Sequence, residues 1–363
     1  MNTIFLIPIK KYFYFYLKSI QQSYLIHLSN NENRNSNFEF NIMEIGTNDC
    51  KNSIIVINKL MKYLKIKSNN KIINSLRGNN KIKILFNNEN YISILNEINQ
   101  FTNEMDENNY IRISNNIDYS LLNKSHFKQI TSNESVDFII STFLFQNSIY
   151  DERYYKNEDS IIMGQKTREY STYCINQLSG LLSLREKELK KNGTMIITII
   201  GEYNILFHKI FNIIKLILKN QLIINNNNNN NNNQNNLIDE NNLNNILNKI
   251  VLPINFYTKY EINEVIKQLE LKKSNLSLVE CIGDHLVSPN QDFNQFFIFL
   301  NNFIELNFKK LLFKYCFSNN EFIDRFYSLF FTSLKEHLTT KDTCKQIIKD
   351  FRLNYYILSF SKK

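Results

Sequence analysis

The run Phe38-Glu39-Phe40-Asn41-Ile42-Met43-Glu44-Ile45-Gly46, followed by the polar stretch Thr47-Asn48-Asp49-Cys50-Lys51-Asn52, constrains the fold more than any other part of the chain. Its apolar bias reads as a buried strand that ends in an acidic residue and a glycine. From Ser53 to Leu64 apolar residues return at helical spacing, as Ile54, Ile57, Leu60, Met61 and Leu64. A strand, a glycine turn and a helix in that order open an α/β domain and bring backbone close to a ligand, because glycine has no Cβ to obstruct the approach. One glycine replaces the G-x-G-x-x-G of a dinucleotide site, so a pyrophosphate cradle is not indicated. An acid just before the glycine suits a cationic or hydroxyl-rich ligand better than a phosphate. A buried strand–turn–helix without any ligand accounts for this segment equally well.

The rest of the chain gives little help to most other functions. The five cysteines (Cys50, Cys174, Cys281, Cys316, Cys344) are dispersed and odd in number, which suits neither a disulfide framework nor a zinc site. The five histidines (His27, His126, His208, His285, His337) form no H-E-x-x-H. No apolar run reaches the roughly 20 residues of a membrane span, and Met1 to Ile9 lacks the marks of a signal peptide. The expected compartment is the reduced cytoplasm, with no membrane partner. A net charge of +9 tolerates anionic partners, but the lysines are scattered (Lys62, Lys65, Lys67, Lys71, Lys81, Lys83) without a stripe interleaved with aromatics. A solvated basic surface is therefore favoured over a nucleic-acid site. Heavy use of Asn, Ile and Lys with 7 Gly, 3 Pro and no Trp resembles a coding bias, so local propensities are discounted.

Strand patterns at Phe38–Ile45, Lys81–Phe86, Tyr110–Ser114, Val136–Leu144 and Thr194–Ile200 alternate with helical patterns at Ser53–Leu64, Tyr91–Phe101 and Glu169–Leu189. This alternation predicts a doubly wound, mostly parallel sheet. Lys191-Asn192-Gly193 reads as the glycine cap that ends the longest helix before a buried strand. The tract Asn225 to Asn236, interrupted only by Gln234, has no apolar residue with which to build a core, and is expected to be a disordered insertion. Beyond it come an extended Phe256–Tyr260, a short helix Glu261–Leu269 and a strand Ser274–Ile282. Helices at Gln291–Leu312 and Glu321–Leu338 and a last strand Tyr355–Phe360 complete the pattern.

These segments resemble the SABATH family, the plant-type S-adenosylmethionine-dependent methyltransferases of salicylate, jasmonate, benzoate and xanthines, from about Tyr12 to the C-terminus. The family's N-S-x-x-Q is echoed by Lys18-Ser19-Ile20-Gln21-Gln22, and its D-L-G-C-S-S-G-P-N-T by Glu44 through Ser53. Its G-S-F-Y-G-R-L-F-P segment is echoed by Lys124-Ser125-His126-Phe127 onward. Leu184-Arg185-Glu186-Lys187-Glu188-Leu189-Lys190-Lys191-Asn192-Gly193-Thr194-Met195 matches S-R-A-E-E-L-x-x-G-G-R-M, and Ile357-Leu358-Ser359-Phe360-Ser361-Lys362-Lys363 matches F-V-S-L-x-R-K. The last two are scaffold matches.

The resemblance implies a Rossmann-like class I methyltransferase sheet with an α-helical cap, S-adenosylmethionine as methyl donor and a small carboxylic acid as acceptor. Carried over by position, Ser19, Glu44, Gly46, Asn52, Leu85, Ser125 and His126 border the cofactor. Gln22, Gln146 and Asn147 hold the acceptor, and Phe143 and Phe145 line its pocket. The departures are specific. Leu85 stands where the family has the ribose-binding Asp, and Asn87 reaches a ribose hydroxyl only if the strand end shifts. Gln146 and Asn147 replace a His and a Trp, and still offer amide donors. Ile250 stands at the position of a family metal-positioning acid, so no metal is expected. The implied divisions are an N-terminal segment 1–37 over the active site, a core 38–224, the Asn tract 225–236, more core 237–289, a cap 290–345 and a final strand 346–363. A homodimer belongs to the same expectation. Because Leu85 and Asn147 depart from the pattern, a catalytically inactive homologue that binds a ligand or a partner is the alternative.

Overall fold

The computed structural model describes residues 11–31, 38–45, 80–87, 117–122, 124–125, 127–142, 168–201, 212–221, 256–287, 320–350 and 352–363, and single residues within 57–75, at 209 and within 297–309. Its elements are α1 (Phe13–Asn31), β1 (Glu39–Ile45), β2 (Lys81–Asn87), β3 (Ile117–Leu122), β4 (Val136–Thr142), α2 (Arg168–Glu188), β5 (Leu189–Ile200), α3 (Lys259–Leu271), β6 (Leu276–Val287), α4 (Asn320–Thr340), α5 (Asp342–Lys349) and β7 (Arg352–Lys362). They form one seven-stranded sheet of order β3-β2-β1-β4-β5-β7-β6. Strands β1 to β5 are parallel, and β7 runs antiparallel between β5 and β6. The direction of winding reverses between β1 and β4, which makes their carboxyl ends the switch point of the sheet.

Two layers cover the sheet. On one face α1 buries Tyr16, Ile20, Tyr24 and His27, spaced by three or four residues as a helix stripe requires. Tyr24 meets Phe38 and Phe40 edge-on, with ring centroids 5.4 and 5.2 Å apart. On the other face Met43, Ile139 and Ile197 pack against Cys174, Leu178 and Leu182 of α2 and Ile262 and Val265 of α3. Each such fully buried side chain contributes about 1.5–3 kcal/mol. A capping box starts α3: Thr258 Oγ1 accepts from the Glu261 amide (3.1 Å), and Glu261 Oε2 accepts from the Thr258 amide (2.8 Å). The other oxygen of the same buried carboxylate accepts from Ser171 Oγ at 2.7 Å and ties α3 to α2.

The strands expected at Phe38–Ile45, Lys81–Phe86, Val136–Leu144 and Thr194–Ile200 correspond to β1, β2, β4 and β5. The Tyr110–Ser114 pattern and the Tyr91–Phe101 helix lie outside the described residues. The third parallel strand is Ile117–Leu122, paired to β2 from Ile82↔Ile117 onward. It ends the sheet, where polar residues such as Asp118 and Ser120 are tolerated and dilute the apolar signal.

Gly193 is not a helix cap. Helix α2 ends at Glu188 and β5 begins at once, with a bulge that carries the pairing from Val136↔Leu189 to Phe138↔Thr194. Asn192 takes the left-handed conformation instead, at φ 65°. A Cβ on Gly193 would lie 2.8 Å from the Lys190 carbonyl oxygen and 3.2 Å from that of Asp137, so close backbone approach demands glycine there. Helices α4 and α5 lie between β6 and β7 in the chain. The stripe Ile323, Phe326, Phe330, Leu334 and Leu338 of α4 is buried, as are Phe297 and Leu300.

Candidate functional site

The carboxyl ends of β1 and β4 carry the residues best placed to meet a ligand. Glu44, next to last in β1, is only 3 % exposed and lies beside Phe86 of β2 and Ile140 of β4. Strand alternation places it on the face covered by α1, with Phe40 and Ile42. On the opposite face Ile45 stands between Asn87 and Ser141. Ser141 is fully buried, and its hydroxyl makes no hydrogen bond among the described residues. A carboxylate is an acceptor-only group, matched to hydroxyl and cationic groups.

A second group of residues shapes the segment that follows β3. Asn87, 3 % exposed, donates its amide to the Lys124 carbonyl (2.9 Å) and accepts from the Lys124 amide (3.1 Å). Lys124 Nζ donates to the Ile130 carbonyl at 2.6 Å, curling the segment on itself. From α2, Arg185 donates to the Lys128 carbonyl at 2.7 Å. Glu188 accepts from the amides of Ile130 and Thr131. The two side chains are wholly buried and pair at 3.0 Å. Burial pushes the Glu188 carboxyl above its ordinary range against the pull of Arg185 and the amides, and lowers Arg185.

A third cluster sits where β6 and β7 flank the carboxyl end of β5. Asp284 pairs with Lys11 and accepts from Tyr12 Oη (2.7 Å) and Tyr355 Oη (3.0 Å). Burial works against its charge, but hydrogen bonds from Lys11, Tyr12, the His285 amide and Tyr355 outweigh it and hold the carboxyl far below the usual range. Tyr12 is pushed up to about 12, by burial first and then by Asp284. One turn further, Tyr16 Oη bonds Thr198 Oγ1 at 3.0 Å. The start of α1 is thus moored to the edge of the sheet where the parallel strands have their carboxyl ends.

The far end of α1 is moored to the opposite edge. Asp137, fully buried at the start of β4, accepts from the Asn41 amide (2.7 Å) and from Lys190 Nζ (2.8 Å), with His27 Nδ1 at 3.1 Å. Burial is the main cause that lowers the His27 pKa; Asp137 opposes it and Lys190 adds to it.

The sequence-derived residues divide accordingly. Glu44 is at the carboxyl end of β1, and Ser125 is half-buried in the loop beside Asn87. Ser19, mid-helix in α1, donates to the Phe15 carbonyl at 2.9 Å. Gln22 is exposed, on the side of α1 opposite the Tyr16–Ile20–Tyr24 stripe, and is turned away from the sheet. Leu85 is 8 % exposed and packs in the core with Met43 and Ile139, on the side of α2. Gly46, Asn52, His126, Phe143, Phe145, Gln146, Asn147 and Ile250 lie outside the described residues. Asn87, weighed for a ribose hydroxyl, instead bonds both backbone groups of Lys124, and Arg185 and Glu188 are additions. The R-E-K-E-L stretch reads as scaffold in the sequence, and only the backbone groups of residues 128–131 reveal what its charges hold. Among the described residues no three His, Cys, Asp or Glu side chains gather as a metal site, and no helix is long and apolar enough to cross a membrane.

No family model matches the chain, and no curated protein matches it. Among solved structures, a loganic acid methyltransferase with SAH is similar over 96 % of this chain and 94 % of its own, at 13 % identity and a TM-score of 0.59. A phosphoethanolamine N-methyltransferase of Haemonchus contortus (12 % identity, 94 % of this chain, 52 % of that one) and a cyclopropane synthase of Mycobacterium tuberculosis (12 %, 90 %, 80 %) each give a TM-score of 0.34, too low to carry an argument. At such identities the likeness to the first of these shows the fold, a Rossmann-like class I methyltransferase sheet.

Proposed function

We propose that this protein is an S-adenosylmethionine-dependent methyltransferase of SABATH type that esterifies the carboxylate of a small organic acid. The observation that carries the reading is the buried Glu44 carboxylate at the switch point of a class I sheet. The structural neighbour that spans nearly the whole chain, a loganic acid methyltransferase, supports the acceptor class. S-adenosylmethionine, when bound, supplies an electrophilic methyl on sulfur. In the proposed cleft Glu44, Gly46 and Asn52 hold the amino-acid end, with Ser19 across from them, and Ser125 and His126 border the nucleoside. Gln146 and Asn147 hold the acceptor by their amides between Phe143 and Phe145. Gln22 joins them only if the outer face of α1 is turned toward the acceptor.

The acceptor carboxylate is ionised at neutral pH, so no general base is needed. One carboxylate oxygen forms the new C–O bond as the S–C bond breaks, and the sulfur keeps the electron pair. The residues contribute alignment and exclusion of water. No acid–base dyad is required of them, and the partners implied are small molecules rather than nucleic acid or membrane.

A second reading is favoured by Leu85. A core leucine at the family's ribose-acid position removes a charge-assisted contact of about 1.5–3 kcal/mol, as in a homologue that binds without turnover. Titration calorimetry with S-adenosylmethionine and S-adenosylhomocysteine tests the first reading, and Glu44→Gln is expected to weaken both about tenfold. Absence of binding to the wild-type protein would end it. Binding without transfer of labelled methyl to any of a panel of small carboxylic acids would favour the second.

A further inference from the structure

Five backbone groups of the 124–131 loop are held by side chains from outside it, which is unusual for a surface connection. Asn87 takes both the amide and the carbonyl of Lys124. Arg185 takes the Lys128 carbonyl, and Glu188 takes the amides of Ile130 and Thr131. Within the loop Lys128 closes a turn on the Ser125 carbonyl (3.0 Å), and the Phe127 amide reaches Ser125 Oγ at 3.4 Å. Ser125 is thereby fixed at the head of a turn, one residue from the Asn87 clamp and beside the carboxyl end of β2.

Stability does not explain the arrangement. A buried ion pair gains little over well-packed apolar residues of the same size, because desolvation offsets the attraction. What Arg185 and Glu188 supply is directional. They satisfy three backbone groups in one loop conformation, while an apolar pair would leave the loop a choice. Asn87 is equally directional: its Nδ2 and Oδ1 both bond Lys124 and fix where the loop starts.

Resting on the methyltransferase reading above, we infer that Asn87 and the Arg185–Glu188 pair are positioning residues. They hold loop 124–131 as a preformed wall for the nucleoside end of the cofactor. Recognition of that end moves from an acid at the end of β2 to the loop that the end of β2 holds. The wall is built before ligand arrives, so binding loses less loop entropy.

The test uses the full chain and two probes, S-adenosylhomocysteine and methylthioadenosine, which keeps the nucleoside and lacks the amino-acid end. Asn87→Ala and Glu188→Gln are each expected to weaken both probes by a similar factor of about ten. Asn87→Asp, which restores the acceptor but not the donor, falls between. The double variant Arg185→Met with Glu188→Leu separates positioning from packing. Its urea midpoint stays near that of wild type, while hydrogen exchange across residues 124–131 accelerates and both probes stay weak. A double variant that binds both probes as the wild type does overturns the positioning role. So does unchanged exchange in the loop, whatever the ligand. Failure of the wild-type protein to bind either probe, with the loop still protected, overturns the methyltransferase reading and the ligand assigned to the wall.

Discussion

Replacement of Asp137 by alanine should destabilise the fold by about 3–5 kcal/mol, the cost of breaking a buried ion pair from one side. The figure follows from what the carboxylate holds. It has no exposure, and one oxygen serves both the Asn41 amide at 2.7 Å and Lys190 Nζ at 2.8 Å. The stranded Asn41 amide alone accounts for about 1–3 kcal/mol. Lys190 keeps 30 % of its side chain in water, so it recovers part of its solvation. Asp137→Asn keeps an oxygen for both donors, changing two charge-assisted bonds to neutral ones, and should cost about 1–2 kcal/mol. The chain has no Trp, so unfolding in urea is best followed by circular dichroism. With a slope near 3 kcal/mol/M, the alanine variant should lower the midpoint by about 1–1.7 M and the asparagine variant by less than half of that. An alanine variant within about 1 kcal/mol of wild type, or equal effects of both substitutions, would refute the reasoning that the charge at the start of β4 moors α1 and β5.

The same cluster predicts acid sensitivity. The His27 pKa lies below the ordinary imidazole value of 6.5, chiefly through burial, so its contribution to stability is present above pH 6.5 and is lost as pH falls through the folded value. Urea midpoints should drop between pH 7 and pH 5, and His27→Gln should flatten part of that slope; equal slopes would assign it to other groups. One substitution should have opposite signs at two glycines. Gly193→Ala forces a Cβ to within 2.8 Å of the Lys190 carbonyl oxygen and should cost about 1–3 kcal/mol. Gly180→Ala, in α2 with nothing within 4 Å, should gain about 0.5–1 kcal/mol, read as shifts of the midpoint in urea.

Legibility in the sequence followed burial. Strands β1, β2, β4 and β5 lie inside the sheet and carry near-continuous apolar runs, which periodicity detects. Strand β3 ends the sheet, and Asp118 and Ser120 break its pattern. Gly193 misleads for a local reason: Lys190-Lys191-Asn192-Gly193 has the composition of a helix cap. Whether the chain turns there or bulges against β4 depends on the distant Asp137 carbonyl, which no local window contains. Glu44 is legible because an acid before a strand-ending glycine is a local signal. The i,i+3 pair Arg185 and Glu188 looks like any solvated helix face until its partners, backbone groups some 57 residues earlier, are seen. Asn87 is visible as a polar residue at a strand end, but its bonds to both backbone groups of Lys124 are a tertiary fact.

The two ionic clusters are parts of one path between the edges of the sheet. Below the Glu188 clamp, the amides of Glu134 and Ser135 hang on the carbonyls of Lys187 and Glu188 at 2.8 and 3.0 Å. The Ser135 carbonyl accepts from the Asn41 side chain at 3.0 Å, and the Asn41 amide donates to Asp137. The segment that leaves the carboxyl end of β3 is therefore fixed at its head by Asn87, at its middle by α2 and at its foot by the β1–β4 mooring. A loop with so many backbone groups satisfied by rigid elements has little freedom left to lose when a ligand binds. The cluster around Asp284, on the other flank of the same edge, relies on Lys11, whose side chain is 51 % exposed, and on tyrosine hydroxyls. An exposed lysine is more easily detached than an amide held by a buried carboxylate. The flank where α1 is moored by Lys11 and Tyr12 is thus fastened more loosely than the 124–131 loop, which under the proposed methyltransferase reading is the fixed wall of the cofactor cleft.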